Sequence, residues 1–164
     1  MSLPTSRGTE HIVKPDPQWK ALLECAAKEV FSMMAGVELT EFAEAPQEPQ
    51  GEQTAMVGLA GALCGMITIR CTSATSGRLA ARMLGDEAAT NPSMISDALG
   101  ELCNMVAGNF KSKVTQLADH CMLSVPTVIC GEDYVLQTPP PNEGFQTVLS
   151  LESEPIWFSL VVQG

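Results

Sequence analysis

Apolar and polar positions alternate most regularly between residues 91 and 117. Ile95, Leu99, Leu102, Val106, Phe110 and Leu117 recur at helical spacing, the pattern of a face that a helix buries. Asn91 and Pro92 stand just before them. An Asn side chain can accept from free backbone N–H groups and Pro suits the first helical position, so a long helix is predicted to start here. Asp97, Glu101, Asn104, Gly108 and Lys111 lie on the opposite stripe, within about 40° of one line at roughly 100° per residue. Two carboxylates, an amide and a glycine therefore point out together.

The rest of the chain divides by the same criteria. A helix is predicted from Asp16-Pro17, as cap and first-turn proline, to about Ala35, with Gly36 ending it. Trp19, Leu22, Leu23, Ala26, Val30 and Met33 form its inward stripe, while Lys20, Glu24 and Lys28 face out. Residues 41–53, acidic and containing Pro46 and Pro49, read as a solvated loop. Residues 54–61 and 63–71 read as a hairpin, and 72–84 as a helix capped by Thr72 or Ser73 and stopped by Gly85. Its Leu79, Ala80, Met83 and Leu84 are expected in the core.

Beyond the long helix, 121–130 reads as a strand interrupted by Pro126, which lacks an N–H and belongs at an edge or bulge. That proline is expected to shape the surface beside Asn104. Residues 134–137 suggest a short strand, 139–142 a loop, and 145–151 with 156–162 a hairpin around 152–155. Residues 1–15 show no periodicity and are expected to be a disordered tail before a single domain spanning 16–164. The fold class is α+β: three main helices packed on a mainly antiparallel sheet of five or six strands. Trp19 and Trp157, in a chain with few aromatics, are expected as core anchors.

Composition narrows the function. The 164 residues suffice for one full core, and a formal charge of −10 argues against nucleic-acid binding and anionic membranes. No apolar run reaches spanning length and the first residues lack the character of a signal peptide, so a cytoplasmic location is expected. Six cysteines contain no C-x-x-C pair and only two histidines accompany them, so no metal site is expected. They read as small hydrophobes. Cys103 neighbours Asn104, yet nothing places a base beside it.

The outward stripe of the long helix is more than solvated surface. Asn is a poor interior helix residue, and Gly108 costs roughly 1 kcal/mol relative to Ala while removing a side chain that would hold another backbone away. Met105, at the rim, supplies an adaptable apolar side chain suited to a partner. The stripe reads as a docking surface carrying an acid and an amide.

Asp97-x-x-x-Glu101-x-x-Asn104, followed by Pro126 twenty-two positions after the Asn, resembles the signature of the CheC/CheX/FliY family of chemotaxis phosphatases. The stretches GELCNMVAGNFKSKV and SVPTVICG resemble the CheX branch most closely. The resemblance implies hydrolysis of the aspartyl phosphate on a CheY-like response regulator. Asn104 would hold a water in line with phosphorus, and Glu101 would pair with a lysine of the regulator. Asp97 would extend the acidic edge, Gly108 would permit close approach, and Met105 and Pro126 would border the contact. The chain would bind no cofactor, Mg²⁺ being supplied by the phosphorylated regulator, and it would form homodimers through sheet edges.

Glu29-x-x-Ser32-Met33-Met34-Ala35-Gly36 matches Glu101-x-x-Asn104-Met105-Val106-Ala107-Gly108 at a spacing of seventy-two residues. As a degenerate internal repeat it gives a second site that has decayed, because the short Ser32 hydroxyl stands in place of an amide. The alternative to a phosphatase is a non-catalytic module of the same fold that docks a regulator or a flagellar switch component. A small-molecule enzyme would need a nucleophile, phosphate loop or metal cluster, and none is evident.

Overall fold

The computed structural model describes residues 15–46, 51–131, 134 and 142–163. The expected tail, except Pro15, and most of 134–141 fall outside this set. Helix α1 spans Trp19–Ala35, strands β1 and β2 span Gln53–Gly61 and Gly65–Cys71, and helix α2 spans Ser73–Leu84. A 3₁₀ turn, Asp86–Thr90, leads to helix α3, Pro92–Lys113. Strands β3 (Cys121–Leu123), β4 (Thr127–Cys130), β5 (Asn142–Leu151) and β6 (Glu154–Gln163) complete the chain.

All strand pairings are antiparallel, in the order β3-β1-β2-β6-β5, with β4 continuing the β3 edge along β1. The predicted α+β class and three main helices are what the chain adopts. Period-two alternation decides which face the helices cover: Ile67 and Ile69 of β2 and Ile156, Phe158 and Leu160 of β6 are fully buried beneath α1 and α3. Trp19 packs edge-on against Phe110 at 6.0 Å, and Phe31 against Phe158 at 5.7 Å, fastening α1 to α3 and to the sheet. Helix α2 lies against α3 and the 3₁₀ turn.

Several sequence expectations are corrected. α1 starts at Trp19 without a side-chain cap; the Asp16 carboxylate accepts instead from the Gln18 N–H at 2.8 Å, and Gly36 ends the helix at φ 63° as expected. Met33 is 66% exposed, and Phe31 and Ala27 take the inward positions, because the face α1 buries lies between the sheet and α3 and is wider than a single stripe. Leu84, at the last turn of α2, is 49% exposed rather than in the core. α3 ends at Lys113; Leu117 is buried from the turn beyond it. β5 begins three residues before the predicted 145, at Asn142. Trp157 is buried, but on the sheet face opposite the helices and apart from the main core.

The internal repeat has a topological counterpart. After α1, Thr40 pairs with Ser150 at the outer side of β5, and then comes the β1-β2 hairpin. After α3, β3 and β4 pair with the outer side of β1, and then comes the β5-β6 hairpin. Each half thus runs helix, edge segment, hairpin, with the edge segment lent to the other half and β2 and β6 pairing at the centre.

The β5-β6 connection is tighter than the four-residue turn read from the sequence. Leu151 pairs with Glu154, leaving two turn residues, Glu152 at φ 49° and Ser153 at φ 73°. Two successive positive φ values are the signature of a type I′ hairpin turn, which favours Asn and Gly. Here Glu152 accepts from Arg78 at 3.1 Å, which ties the turn to α2. Ser153→Gly is expected to stabilise the fold by about 1 kcal/mol, since it relieves a left-handed conformation that a β-carbon disfavours. A higher urea midpoint with an unchanged slope is the outcome that checks it.

Candidate functional site: an acid and an amide on the outer face of α3

Local sequence fixes where α3 starts. The Asn91 side chain accepts from the N–H groups of Ser93 and Met94 at 3.1 and 3.2 Å, and Pro92 occupies the first turn. Lys111 and Lys113 lie in the last turn, where positive charge suits the exposed carbonyl ends. Leu99, Leu102, Val106 and Phe110 are buried, joined by Cys103 and Ala107, while Ile95 is half-buried. On the other side Asp97 and Glu101 are exposed, and Asn104, Gly108 and Lys111 are half-buried. Among the described residues, neither the Glu101 carboxylate nor the Asn104 amide has a hydrogen-bond or ion-pair partner within the chain. Glu101 and Asn104 are one turn apart, so an acid and an amide stand side by side with their polar atoms uncommitted.

The edge beside them is irregular in a definite way. β3 pairs Leu59 with Leu123, and β4 pairs Met56 with Thr127. Between these pairs β1 has two residues, Val57 and Gly58, and the edge has three, Ser124, Val125 and Pro126. Ser124 stands opposite Gly58: its N–H donates to the Gly58 carbonyl at 2.9 Å, and its Oγ accepts from the Gly58 N–H at 2.8 Å. Val125 and Pro126 are then both opposite Val57, a one-residue β-bulge. The Ser124 hydroxyl donates in turn to the Val125 carbonyl at 2.9 Å. Pro126 has no N–H to give the ladder, which suits it to this position.

This bulged segment lies along α3. A β-carbon on Gly100 would meet Pro126 at 3.5 Å and Val128 at 3.4 Å, and one on Gly108 would meet only Leu123, at 3.9 Å. Gly100, Asn104 and Gly108 are spaced four apart on one stripe. The segment therefore passes Gly108 with Leu123 and Gly100 with Pro126, and Asn104 sits between.

Of the residues singled out in the sequence, Asp97, Glu101, Asn104 and Gly108 share this face, and Pro126 borders it one turn from Asn104. Met105 is half-buried and packs partly on the core, so only part of it faces outward. Among the described residues, no other backbone comes close to the position a Gly108 β-carbon would take. Pro126 sits at a bulge, one of the two positions its missing N–H allows, whereas Gly100, the glycine four residues before Asn104, was not singled out in the sequence.

The repeated position on α1 is engaged differently. Glu29 accepts from Lys113 Nζ at 3.0 Å and from Asn109 Nδ2 at 3.1 Å, which hold its carboxyl below the usual range, Lys113 contributing most. Ser32 is exposed on α1. Residues 37 and 41, which the seventy-two-residue spacing aligns with Asn109 and Lys113, lie past the end of α1. Glu101 accordingly receives no such pair.

Cys103 turns inward, its thiol 3.7 Å from the Ile67 carbonyl, and burial pushes its pKa up to about 12. A thiolate is unavailable there despite the neighbouring Asn104. All six cysteines are free. Among the described residues, no three His, Cys, Asp or Glu side chains converge where they could hold a metal ion, and no helix is long and apolar enough to cross a membrane.

Helices on one face of an antiparallel sheet, with an uncommitted acid and amide on the longest of them, define the class to which comparison then assigns the chain. The profile of the chemotaxis phosphatase CheX family matches residues 53–150, more than half of the chain. This chain belongs to the CheX family. The CheY-P phosphatase CheX of Thermotoga maritima is 29% identical over 84 residues, which are 51% of this chain and 54% of that protein, so the match spans about half the length of each. CheX of Vibrio vulnificus has the same fold with a TM-score of 0.76 and 18% identity, over 92% of this chain and 100% of that one. CheX of Borrelia burgdorferi, solved as a complex with CheY, BeF₃ and Mg²⁺, has a TM-score of 0.72 and 23% identity over 89% of this chain and 98% of that one.

Thiol accessibility offers a direct check of the orientation of α3. With the fold intact at pH 8, Cys25, Cys64 and Cys130 are expected to take up an alkylating reagent. Cys71, Cys103 and Cys121 are buried, and burial pushes the pKa of Cys71, like that of Cys103, up to about 12. Mass spectrometry should find them modified only after denaturation; fast labelling of Cys103 would mean that α3 is rotated.

Proposed function

We propose that this chain is a protein phosphatase that hydrolyses the aspartyl phosphate of a CheY-like response regulator. The observation that carries the reading is the uncommitted Glu101–Asn104 pair on a helix whose other face is fully packed, in a chain of the CheX family. An amide both donates and accepts, so Asn104 can orient a water in line with phosphorus, and the rate gain comes from positioning. Glu101 docks on a lysine of the regulator, a charge-assisted contact that sets partner choice. Asp97 extends the acidic edge, Gly108 lets the partner backbone come close, and Met105 and Pro126 border the contact.

The reaction needs no metal from this chain in this reading. Mg²⁺ comes with the regulator, as the composition of the Borrelia CheX complex suggests. The site of action is the cytoplasm, where such regulators are phosphorylated. Two copies of the chain associate through a sheet edge. Among the described residues, the outer side of β5 is bridged only at Ser150, which leaves most of that edge able to take a strand. Light scattering after size exclusion is expected to give twice the chain mass, and a Gln146→Pro substitution on β5 should shift it toward a single copy.

Asn104→Ala removes the water-orienting group and leaves the acidic contact. Decay of the phosphorylated regulator under single-turnover, saturating conditions should slow by orders of magnitude while binding changes little. Glu101→Ala should weaken binding by about 1–3 kcal/mol and slow the reaction mainly through that loss. Asn104→Asp should be nearly as inactive as Ala, since a carboxylate would face the phosphoryl group. Equal decay for wild type and Asn104→Ala would make the chain a binding module.

A further inference from the structure

The bulged edge presents a side chain to which the phosphatase reading gives no task. Val125 is 83% exposed, the most exposed of the large apolar residues among those described, although Ser124 before it is hydrogen-bonded in place and Thr127 after Pro126 is paired with Met56. Its position follows from two contacts and two lengths. Leu123 lies at Gly108 and Pro126 at Gly100. Eight helical residues advance about 12 Å and three extended residues about 10 Å, so the segment keeps pace with the helix between these points. Val125 is thus carried to the level of Asn104.

Its side follows from the alternation along the strand. Cys121 is buried and Leu123 touches α3, so both face the helices, and Met122 faces the opposite side of the sheet. Continuing by two places Val125 on the helix side with Leu123. The bulge then repeats that side instead of reversing it, since Pro126 also lies against α3. An unbulged strand would have turned residue 126 away.

We propose that Val125 is a contact residue for the receiver domain of the partner regulator. It would form an apolar shoulder beside Asn104 that packs on an apolar patch bordering the acyl-phosphate pocket. The inference rests on the phosphatase reading and adds to it a second wall of the docking surface. Glu101 supplies charge on the helix and Val125 supplies desolvated area on the edge segment. An exposed valine held by a bulge is pre-organised, so little ordering entropy is lost when the partner covers it. Ser124 is a positioning residue: its hydroxyl, bonded to the Gly58 N–H and the Val125 carbonyl, fixes the bulge.

The test is single-turnover dephosphorylation of CheY-like receivers from the same organism, loaded with acetyl phosphate, over a range of concentrations of the full chain. Val125→Ser should raise the half-saturating concentration about ten-fold or more, the loss expected when a valine that would be buried on binding is removed, and leave the plateau rate within about two-fold. Met122→Ser, on the same edge and itself 77% exposed but on the other sheet face, should behave as wild type. Ser124→Ala should raise the half-saturating concentration, and Ser124→Thr, which keeps the hydroxyl, should restore it. Thermal melts establish that each variant is folded. Wild-type activity with an unshifted Val125→Ser, or an equal shift for Met122→Ser, overturns this inference alone. Wild type that neither dephosphorylates any receiver nor binds a beryllofluoride-loaded one overturns the phosphatase reading and this inference together.

Discussion

Burial of the inner stripe of α3 is the interaction on which the other elements lean. This one helix touches α1, α2, the 3₁₀ turn and four strands, from β1 to β4. Leu99, Leu102, Val106 and Phe110 are each removed from water, and fully burying side chains of this size contributes roughly 1.5–3 kcal/mol apiece before the entropy of ordering is subtracted. A helix held that firmly from within can carry residues on its outer side that its own propensity disfavours. Asn104 and Gly108 are two such residues, and Gly100, buried beneath Pro126 and Val128, is a third that propensity disfavours; all lie within the continuous α-helix Pro92–Lys113. The outer face thus stands on a fully packed inner stripe.

The two halves of the molecule show how a duplicated arrangement becomes asymmetric. α3 continues to Lys113, whereas α1 stops at Gly36, the residue that aligns with Gly108. The extra length supplies Asn109 and Lys113, which close on Glu29. The lowered Glu29 pKa means that this pair stabilises the fold at and above the usual carboxylate range, and that its contribution fades as pH falls through the folded-state value. Helix length, set by a glycine at one end, thus decides which of two equivalent acids remains free.

Much of this was legible from the sequence because periodicity reports burial directly. The Asn91-Pro92 start, the inner stripe of α3 and the outward positions of Asp97 and Glu101 all follow from it. Met33 and Leu84 were misassigned because an apolar residue at helical spacing still needs a neighbour to cover it, and neighbours are a property of the fold. The bulge was harder. Its two defining facts, the Leu59–Leu123 and Met56–Thr127 pairings, lie on strands more than sixty residues apart, and only their registers reveal the extra residue. Pro126 marked the irregularity but could not say which side chain it re-aims.

The exchange of edge segments bears on how the chain reaches this state. β6, which leaves the ribosome after the other five described strands, pairs with β2 in the interior of the sheet, and β1 takes its outer partners from beyond α3. Neither half contains the strands that complete its own sheet, so neither is a folding unit. Contacts between such distant stretches make for high contact order and slow two-state folding. During synthesis the outer edge of β1 must wait for β3 and β4, and the β2 edge stays open longer still, until β6 arrives. For this topology the nascent chain, more than the finished protein, is the species most exposed to aggregation.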